Sequence, residues 1–204
     1  VVAEVNPNMP RTLGDSFIHV SEISAFVEND APLLEFEQKA PDDIAQSIGR
    51  LIADLIDNES TIQTGVGKIP NSVFPYLANK KDLGVHTETF TDGLIDLIES
   101  GVVTCRKKSL HPGKIVAAFC MGTRRLYDYV HNNPLFEFRP CQYVNDPYVI
   151  AQNDRMVSIN SALTVDLTGQ VCSDSLGFEF YSGIGGQVDF VRGSAMSNRG
   201  KSIM

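Results

Sequence analysis

The chain has 204 residues, 43% of them hydrophobic, and a formal net charge of −8 at pH 7. That much apolar material builds a sizeable core and excludes a disordered chain, so one domain, or one with a small appendage, is the simplest organisation. The negative charge excludes a broad nucleic-acid surface, which needs clustered Lys and Arg in excess, yet a small anionic ligand can still be held by helix N-termini and a few lysines.

Residues 1–5 read as a strand entering the turn Asn6-Pro7-Asn8, residues 17–20 as a second short strand, and residues 33–36 as a third. A helix follows Pro41, with Asp42 and Asp43 in its first turn, where negative charge suits the helix dipole. Ile44, Ile48, Leu51, Ile52, Leu55 and Ile56 give it an apolar stripe at helical spacing, which predicts packing on a sheet. Residues 61–65 read as a strand and residues 71–79 as a short helix with Pro75 near its start. Residues 84–90 form the next strand. Thr91-Asp92 opens a helix whose apolar face is Leu94, Ile95, Leu97 and Ile98, with Gly101 as its C-terminal cap.

Residues 114–120 are a near-continuous apolar run of the kind found in a parallel strand covered on both faces, and residues 122–131 are helical. Beyond Pro140 the reading becomes strand-rich: residues 135–138, 156–159, 163–165, 170–172 and 188–191 are predicted strands, with helix at 147–152. Strands alternating with helices, then a strand-rich end, predict an α/β fold with a mostly parallel mixed sheet.

Cys105, Cys120, Cys141 and Cys172 are widely spread and form no Cys-x-x-Cys pair, which fits a reducing compartment. No run approaches the roughly 18 apolar residues of a membrane span, and no signal peptide is visible, so a cytoplasmic location is expected; a mitochondrial matrix protein after removal of its transit peptide would look the same. The chain opens without Met and stops at Gly200-Lys-Ser-Ile-Met204, where an apolar strand begins, so a fragment of a longer protein is expected.

The most informative pairing is a glycine loop, Gly65-Val-Gly-Lys-Ile-Pro-Asn71, followed one helix and one strand later by Glu88 in Gly84-Val-His-Thr-Glu-Thr-Phe90. In an α/β unit both motifs arrive at the same sheet edge, where ligands bind. A second cluster, Gly183-Ile-Gly-Gly186, invites close approach of a backbone or ligand. Two such loops beside one carboxylate present free N–H groups that can stabilise a negative oxygen. Taken singly, each loop also reads as a plain turn and Glu88 as a surface glutamate at a strand end.

The Walker spacing, the third glycine of a dinucleotide fingerprint and the serine elbow of a hydrolase are all missing. His19, His86, His111 and His131 lack ligand spacing, which argues against a metal site. Arg124-Arg125 reads as a solvated helix face, Cys120 as a small core residue and Asp92 as a helix cap.

Five stretches in order, Gln63-Thr-Gly-Val-Gly-Lys-Ile-Pro-Asn71, His86-Thr-Glu-Thr-Phe-Thr-Asp-Gly93, Ser158-Ile-Asn-Ser-Ala162, Gly183-Ile-Gly-Gly-Gln-Val-Asp-Phe190 and Gly200-Lys-Ser-Ile203, resemble the family I coenzyme A transferases. The similarity is specifically to the acetyl-CoA hydrolase/transferase group, which includes 4-hydroxybutyrate CoA-transferases. The resemblance covers nearly the whole chain. It implies a three-layer α/β sandwich of the NagB/RpiA/CoA-transferase-like kind. It also implies that residues 1–204 are the C-terminal catalytic domain of a protein with two related halves, residues 1–40 serving as inter-domain lead-in.

The implied activity is transfer of CoA between an acyl-CoA and a short-chain acid of the acetate, butyrate or 4-hydroxybutyrate type, through a glutamyl-CoA thioester. In such a site Glu88 is the nucleophile and Asn160 orients the reacting groups. The loop of Gly65, Val66, Gly67, Lys68 and Ile69 touches the thioester, the N–H groups of Val66 and of the Gly185-Gly186 region form the oxyanion hole, and Gly183 of the same loop belongs to the coenzyme-binding residues. Lys201 contacts the coenzyme's phosphate portion. Position 68 departs from the pattern, being lysine where relatives carry a small or amide residue.

Coenzyme A enters as substrate, and no tightly bound cofactor or metal is expected. The expected partners are acyl-CoA, small carboxylic acids, the N-terminal half and a second copy in a homodimer, with no nucleic acid and no membrane. An acetyl-CoA hydrolase using the same site, or a non-catalytic domain that binds CoA or another metabolite, are the alternatives.

Overall fold

The alternation of strand and helix from residue 61 onward is realised as a parallel sheet. The computed structural model describes residues 1–38 and 40–204. Its elements in chain order are β1 (Val2–Val5), β2 (Ala25–Glu28), α1 (Asp43–Leu55), β3 (Thr61–Thr64), α2 (Lys68–Ser72), β4 (Gly84–Phe90), α3 (Gly93–Glu99), β5 (Ile115–Cys120), α4 (Arg124–Val130), β6 (Phe136–Phe138), α5 (Cys141–Val144), α6 (Pro147–Ile150), β7 (Met156–Ile159), β8 (Thr164–Val165), β9 (Val171–Cys172), β10 (Ser175–Leu176), β11 (Glu179–Phe180), α7 (Gln187–Met196) and β12 (Lys201–Ile203). Six strands form one sheet in the order β12-β7-β3-β4-β5-β6, every neighbouring pair parallel. The α/β class holds. The antiparallel component expected of a mixed sheet lies outside this sheet, in the ribbons β8–β9 and β10–β11, while β1 and β2 form a separate parallel pair.

Alternation along the strands separates two buried layers. On β5, Ile115 and Ala117 join a large cluster with Ile52 of α1, Leu94 of α3 and Leu126 of α4, whereas Val116 joins Val144 of α5, Ile150 of α6 and Phe190 of α7. Successive side chains on a strand face opposite ways, so helices cover both faces and the sandwich has three layers. At one edge Phe136 meets Phe90 edge-on with ring centroids 4.8 Å apart and stacks on Phe138. Truncating Phe136, 2% exposed, to alanine is expected to cost about 3–5 kcal/mol, measurable by denaturant unfolding.

The apolar stripe of α1 is used only in part. Asp42 caps the helix by accepting from the Ala45 N–H at 2.9 Å, and Ile52 and Ile56 are buried, but Ile44 and Leu51 stay 74% and 67% exposed. The buried face runs through Ala45, Gly49, Ile52 and Ala53 instead.

Other expectations are corrected. Residues 17–20 are not a strand; the partner of β1 is β2, whose register starts at Val2↔Ala25. Residues 33–36 are not a strand either: the Phe36 N–H donates to Gly122 O and the Tyr127 hydroxyl to Leu34 O, so this stretch is held by the α4 region. The helix expected over 71–79 begins earlier, at Lys68, and continues after Val73 as a 3-10 turn, Phe74–Leu77, with Pro75 at its start. Residues 188–191 belong to α7. Val-Asp-Phe-Val fits either period over four residues, and the burial of Phe190, Gly193 and Ser194 shows the helical one. Asp92 is the N-cap residue of α3, but its side chain makes no capping bond there; its carboxylate accepts from the Thr123 N–H and hydroxyl and so fixes the start of α4. The short helix α5 is absent from the expected elements. Arg124 and Arg125 lie on an exposed face, paired with Asp128, Asp96 and Glu99.

Candidate active site

Glu88 is the one residue of β4 that is not fully buried. Val85 belongs to the cluster beneath α1–α4, and His86 lies edge-on to Phe190 of α7, so by alternation Glu88 shares the His86 face, toward α5 and α7. The ladder to β5 pairs Thr87 with Ala117 and Thr89 with Phe119, which sets the small Ala118 beside Glu88. On the other side β3 pairs Thr61 with Gly84 and Ile62 with Val85. Continuing that register puts Gly65 level with Glu88, and the Thr87 hydroxyl donates to Thr64 O at 3.4 Å. A carboxylate on a central strand is thus flanked by two small residues.

The third side is closed by Gly186 and Asn145. A Cβ at Gly186 would collide with Glu88 Oε2 and Asn145 Nδ2 and lie 3.1 Å from Glu88 Cδ. Glycine is required there for space alone, since φ is −88°. Gly186 is also the N-cap of α7, and no side chain caps that helix. Free N–H groups at a helix start carry partial positive charge, which favours a negative oxygen nearby. Among the described residues no lysine, arginine or histidine forms an ion pair with Glu88.

Asn145 has no mark in the sequence. It stands before Asp146-Pro147, where it reads as helix punctuation, and only the folded chain brings its amide to β4. Its Oδ1 is buried without a hydrogen-bond partner among the described residues.

The remaining predicted residues are divided. Gly65 is level with Asn160 in the β3–β7 ladder: the Gly65 N–H donates to Ile159 O at 2.8 Å, and Asn160 Oδ1 would lie 3.0 Å from a Cβ at Gly65. Asn160 and Gln63 exchange two amide hydrogen bonds of 3.1 Å in the interior. Asn160 therefore stands level with Glu88 two strands away, its backbone about 10 Å distant at ordinary strand spacing with only the side-chain-free Gly65 between them, while the Asn145 amide and the Glu88 carboxylate both border the position a Cβ at Gly186 would take. Val66 is exposed, Gly67 has φ +133°, a conformation that favours glycine, and Ile69 packs on the core. Lys68 pairs with Asp42 at 2.8 Å and holds its carboxyl below the usual range, tying the loop to the start of α1.

Gly183 and Gly185 border open space, Gly185 with φ +60°. Lys201 stands at the opposite, N-terminal end of its strand, bound to Asp57 at 2.8 Å and to Leu55 O at 2.7 Å. Among the described residues no group of three His, Cys, Asp or Glu is placed to hold a metal ion, and no helix is long and apolar enough to cross a membrane.

His86 is fully buried, with Nε2 2.8 Å from Val144 O. Burial, and secondarily the charge of Lys108, pushes its pKa down to about 3. The unfolded chain takes up a proton near 6.5 and the folded chain only near 3, so stability falls as pH falls through that window. The slope is at most about 1.4 kcal/mol per pH unit. Denaturant midpoints at pH 7 and 4.5 should show the wild type losing more stability than His86→Gln.

This architecture is shared with solved structures, one of them a CoA-transferase. The chain matches 4-hydroxybutyrate CoA-transferase from Porphyromonas gingivalis with TM-score 0.89 and 44% identity, over 100% of this chain and 48% of that one. It matches RipA from Yersinia pestis with TM-score 0.93 and 46% identity, over 98% and 46%. In sequence it is 54% identical to the 4-hydroxybutyrate coenzyme A transferase of Clostridium kluyveri, over 100% of this chain and 48% of the relative. Other curated relatives carry the names of CoA-transferases, and weaker ones of acetyl-CoA hydrolases. Residues 122–204 match the model of the acetyl-CoA hydrolase/transferase C-terminal domain. The chain belongs to the acetyl-CoA hydrolase/transferase family and corresponds to the C-terminal part of its relatives. It spans about half the length of the curated relatives it matches.

Proposed function

We propose that the intact protein transfers CoA between an acyl-CoA and a short-chain carboxylic acid, with Glu88 as nucleophile. The observation that carries this is the placement of the Glu88 carboxylate against Gly186, which the Asn145 amide also borders, at the C-terminal edge of a parallel sheet, free of any ion pair among the described residues. A carboxylate is a weak nucleophile in water and gains from orientation and proximity beside a bound thioester.

Glu88 attacks the acyl-CoA carbonyl, the carbon–sulfur bond breaks, and a mixed anhydride and CoA thiolate result. The thiolate attacks the glutamyl carbonyl, expels the first acid as its carboxylate and leaves a glutamyl-CoA thioester. A second carboxylate then runs the steps in reverse. Oxygen charge in the tetrahedral intermediates is met by the N–H groups of Val66 and of the Gly185-Gly186 turn and by the Asn145 amide. Acids of the acetate, butyrate and 4-hydroxybutyrate type are the proposed partners, after the relatives' names. Residues 1–204 would be the catalytic domain, joined through residues 1–40 to an N-terminal half, in a cytoplasmic homodimer.

Incubating the intact protein with acyl-CoA and digesting it should yield a Glu88 peptide carrying a borohydride-reducible CoA thioester. Label on another residue refutes the assignment. Acyl-CoA consumption that does not respond to added acetate would favour hydrolysis over transfer.

A further inference from the structure

Asn145 follows the four-residue helix α5, and its own oxygen is unpartnered among the described residues, so the side chain is not held through its amide oxygen. The hold is on the backbone one residue earlier. His86 Nε2 lies 2.8 Å from the Val144 carbonyl oxygen. A carbonyl only accepts, so Nε2 carries the hydrogen and Nδ1 does not. Nδ1 is buried without a partner among the described residues.

A buried ring with one polar atom unsatisfied is costly where an apolar side chain would pack as well, and the bond to Val144 is what this residue supplies that an apolar one does not. The Tyr143 hydroxyl is held separately, 2.6 Å from His111 Nε2. His86 and Glu88 lie two residues apart on one strand and face the same layer. A path therefore runs from the Glu88 carboxylate past Gly186, which it borders together with the Asn145 amide, back one residue to Val144, across the hydrogen bond to His86, and along β4 to Glu88.

We propose that His86 is a positioning residue: through the Val144 carbonyl, its Nε2–H sets the Asn145 amide beside Gly186, on the side the Glu88 carboxylate also borders. Its effect on rate rests on the transfer reading above, whereas its effect on geometry does not.

The test uses two amides of different reach in the intact protein. Glutamine at 86 places its NH₂ near the position of the imidazole Nε2; asparagine falls one methylene short. His86→Asn is expected to lower kcat about 10- to 100-fold with KM for acyl-CoA unchanged, and His86→Gln to stay within about threefold of wild type. In an Asn145→Ala background, His86→Asn should cost no further rate, because a residue acting through another has nothing left to position. Equal fold losses in both backgrounds, or a glutamine variant as slow as the asparagine variant, would overturn the inference. Crystal structures of the wild type and His86→Asn supply the second readout: the Asn145 amide should move off Glu88 in the variant. An unmoved Asn145 refutes the positioning role whatever the activity. Absence of CoA transfer in the wild type refutes the functional reading alone.

Discussion

Glu88→Ala in the intact protein is expected to lower CoA transfer by at least about 10³-fold, because the proposed covalent route loses its nucleophile. Glu88→Gln should match it, since the amide retains size and polarity and loses the nucleophile. Glu88→Asp separates nucleophile from placement: the carboxylate survives but is withdrawn by one methylene from Gly186 and Asn145, and a displacement of that size costs about 10²-fold. The fold should be insensitive to all three, because Glu88 forms no ion pair among the described residues. Unfolding midpoints are therefore expected to shift by no more than about 0.5 kcal/mol. An alanine variant that keeps a tenth of wild-type exchange, or that still yields the CoA-labelled peptide, removes Glu88 from the mechanism.

The second large effect is expected from Gly186→Ala. The backbone at Gly186, φ −88° and ψ 3°, is one that alanine adopts freely, so the added methyl acts by volume alone. It falls on Glu88 Oε2 and Asn145 Nδ2 together. The carboxylate must rotate away from the N-terminus of α7, or α7 must retreat from the sheet. Either movement separates the nucleophile from the N–H groups proposed to stabilise the oxyanion, and a loss of kcat of about 10²-fold is expected. Circular dichroism should remain that of the wild type. Wild-type kcat in this variant would show that the contact between Gly186 and Glu88 is irrelevant to chemistry.

Much of the frame was legible from residue types. The strand at 84–90 was read with its observed bounds, since glycine opens it and Thr91-Asp92 closes it. The glycine loop after β3 and the carboxylate on β4 were placed at one edge because consecutive parallel strands deliver their C-terminal ends together. Two kinds of error have physical causes. Val188 to Val191 satisfied both periods, and only packing against α6, where a Cβ on Gly193 would strike Ile150 Cβ, reveals the helix. Asn145 comes to the Gly186 side of Glu88 through long-range packing that no local pattern encodes, so it is missing from the expected site residues, whereas Asn160 is marked by its motif. Lys201 is expected at the coenzyme phosphate from the resemblance; in the fold it is bonded to Asp57 and to the Leu55 carbonyl at the end of α1.

The burial of β4 on either side of Glu88 divides the site by mobility. Thr87 and Thr89 lie in the interior of the sheet, so their amide hydrogens should exchange with deuterium only when the whole domain opens. The exposed Val66 and the open Gly183 and Gly185 belong to connections that can fluctuate far more often. A reactive group anchored in the most protected segment, served by donors on the least protected ones, leaves arrival and departure of a long substrate to the loops while the carboxylate itself stays still.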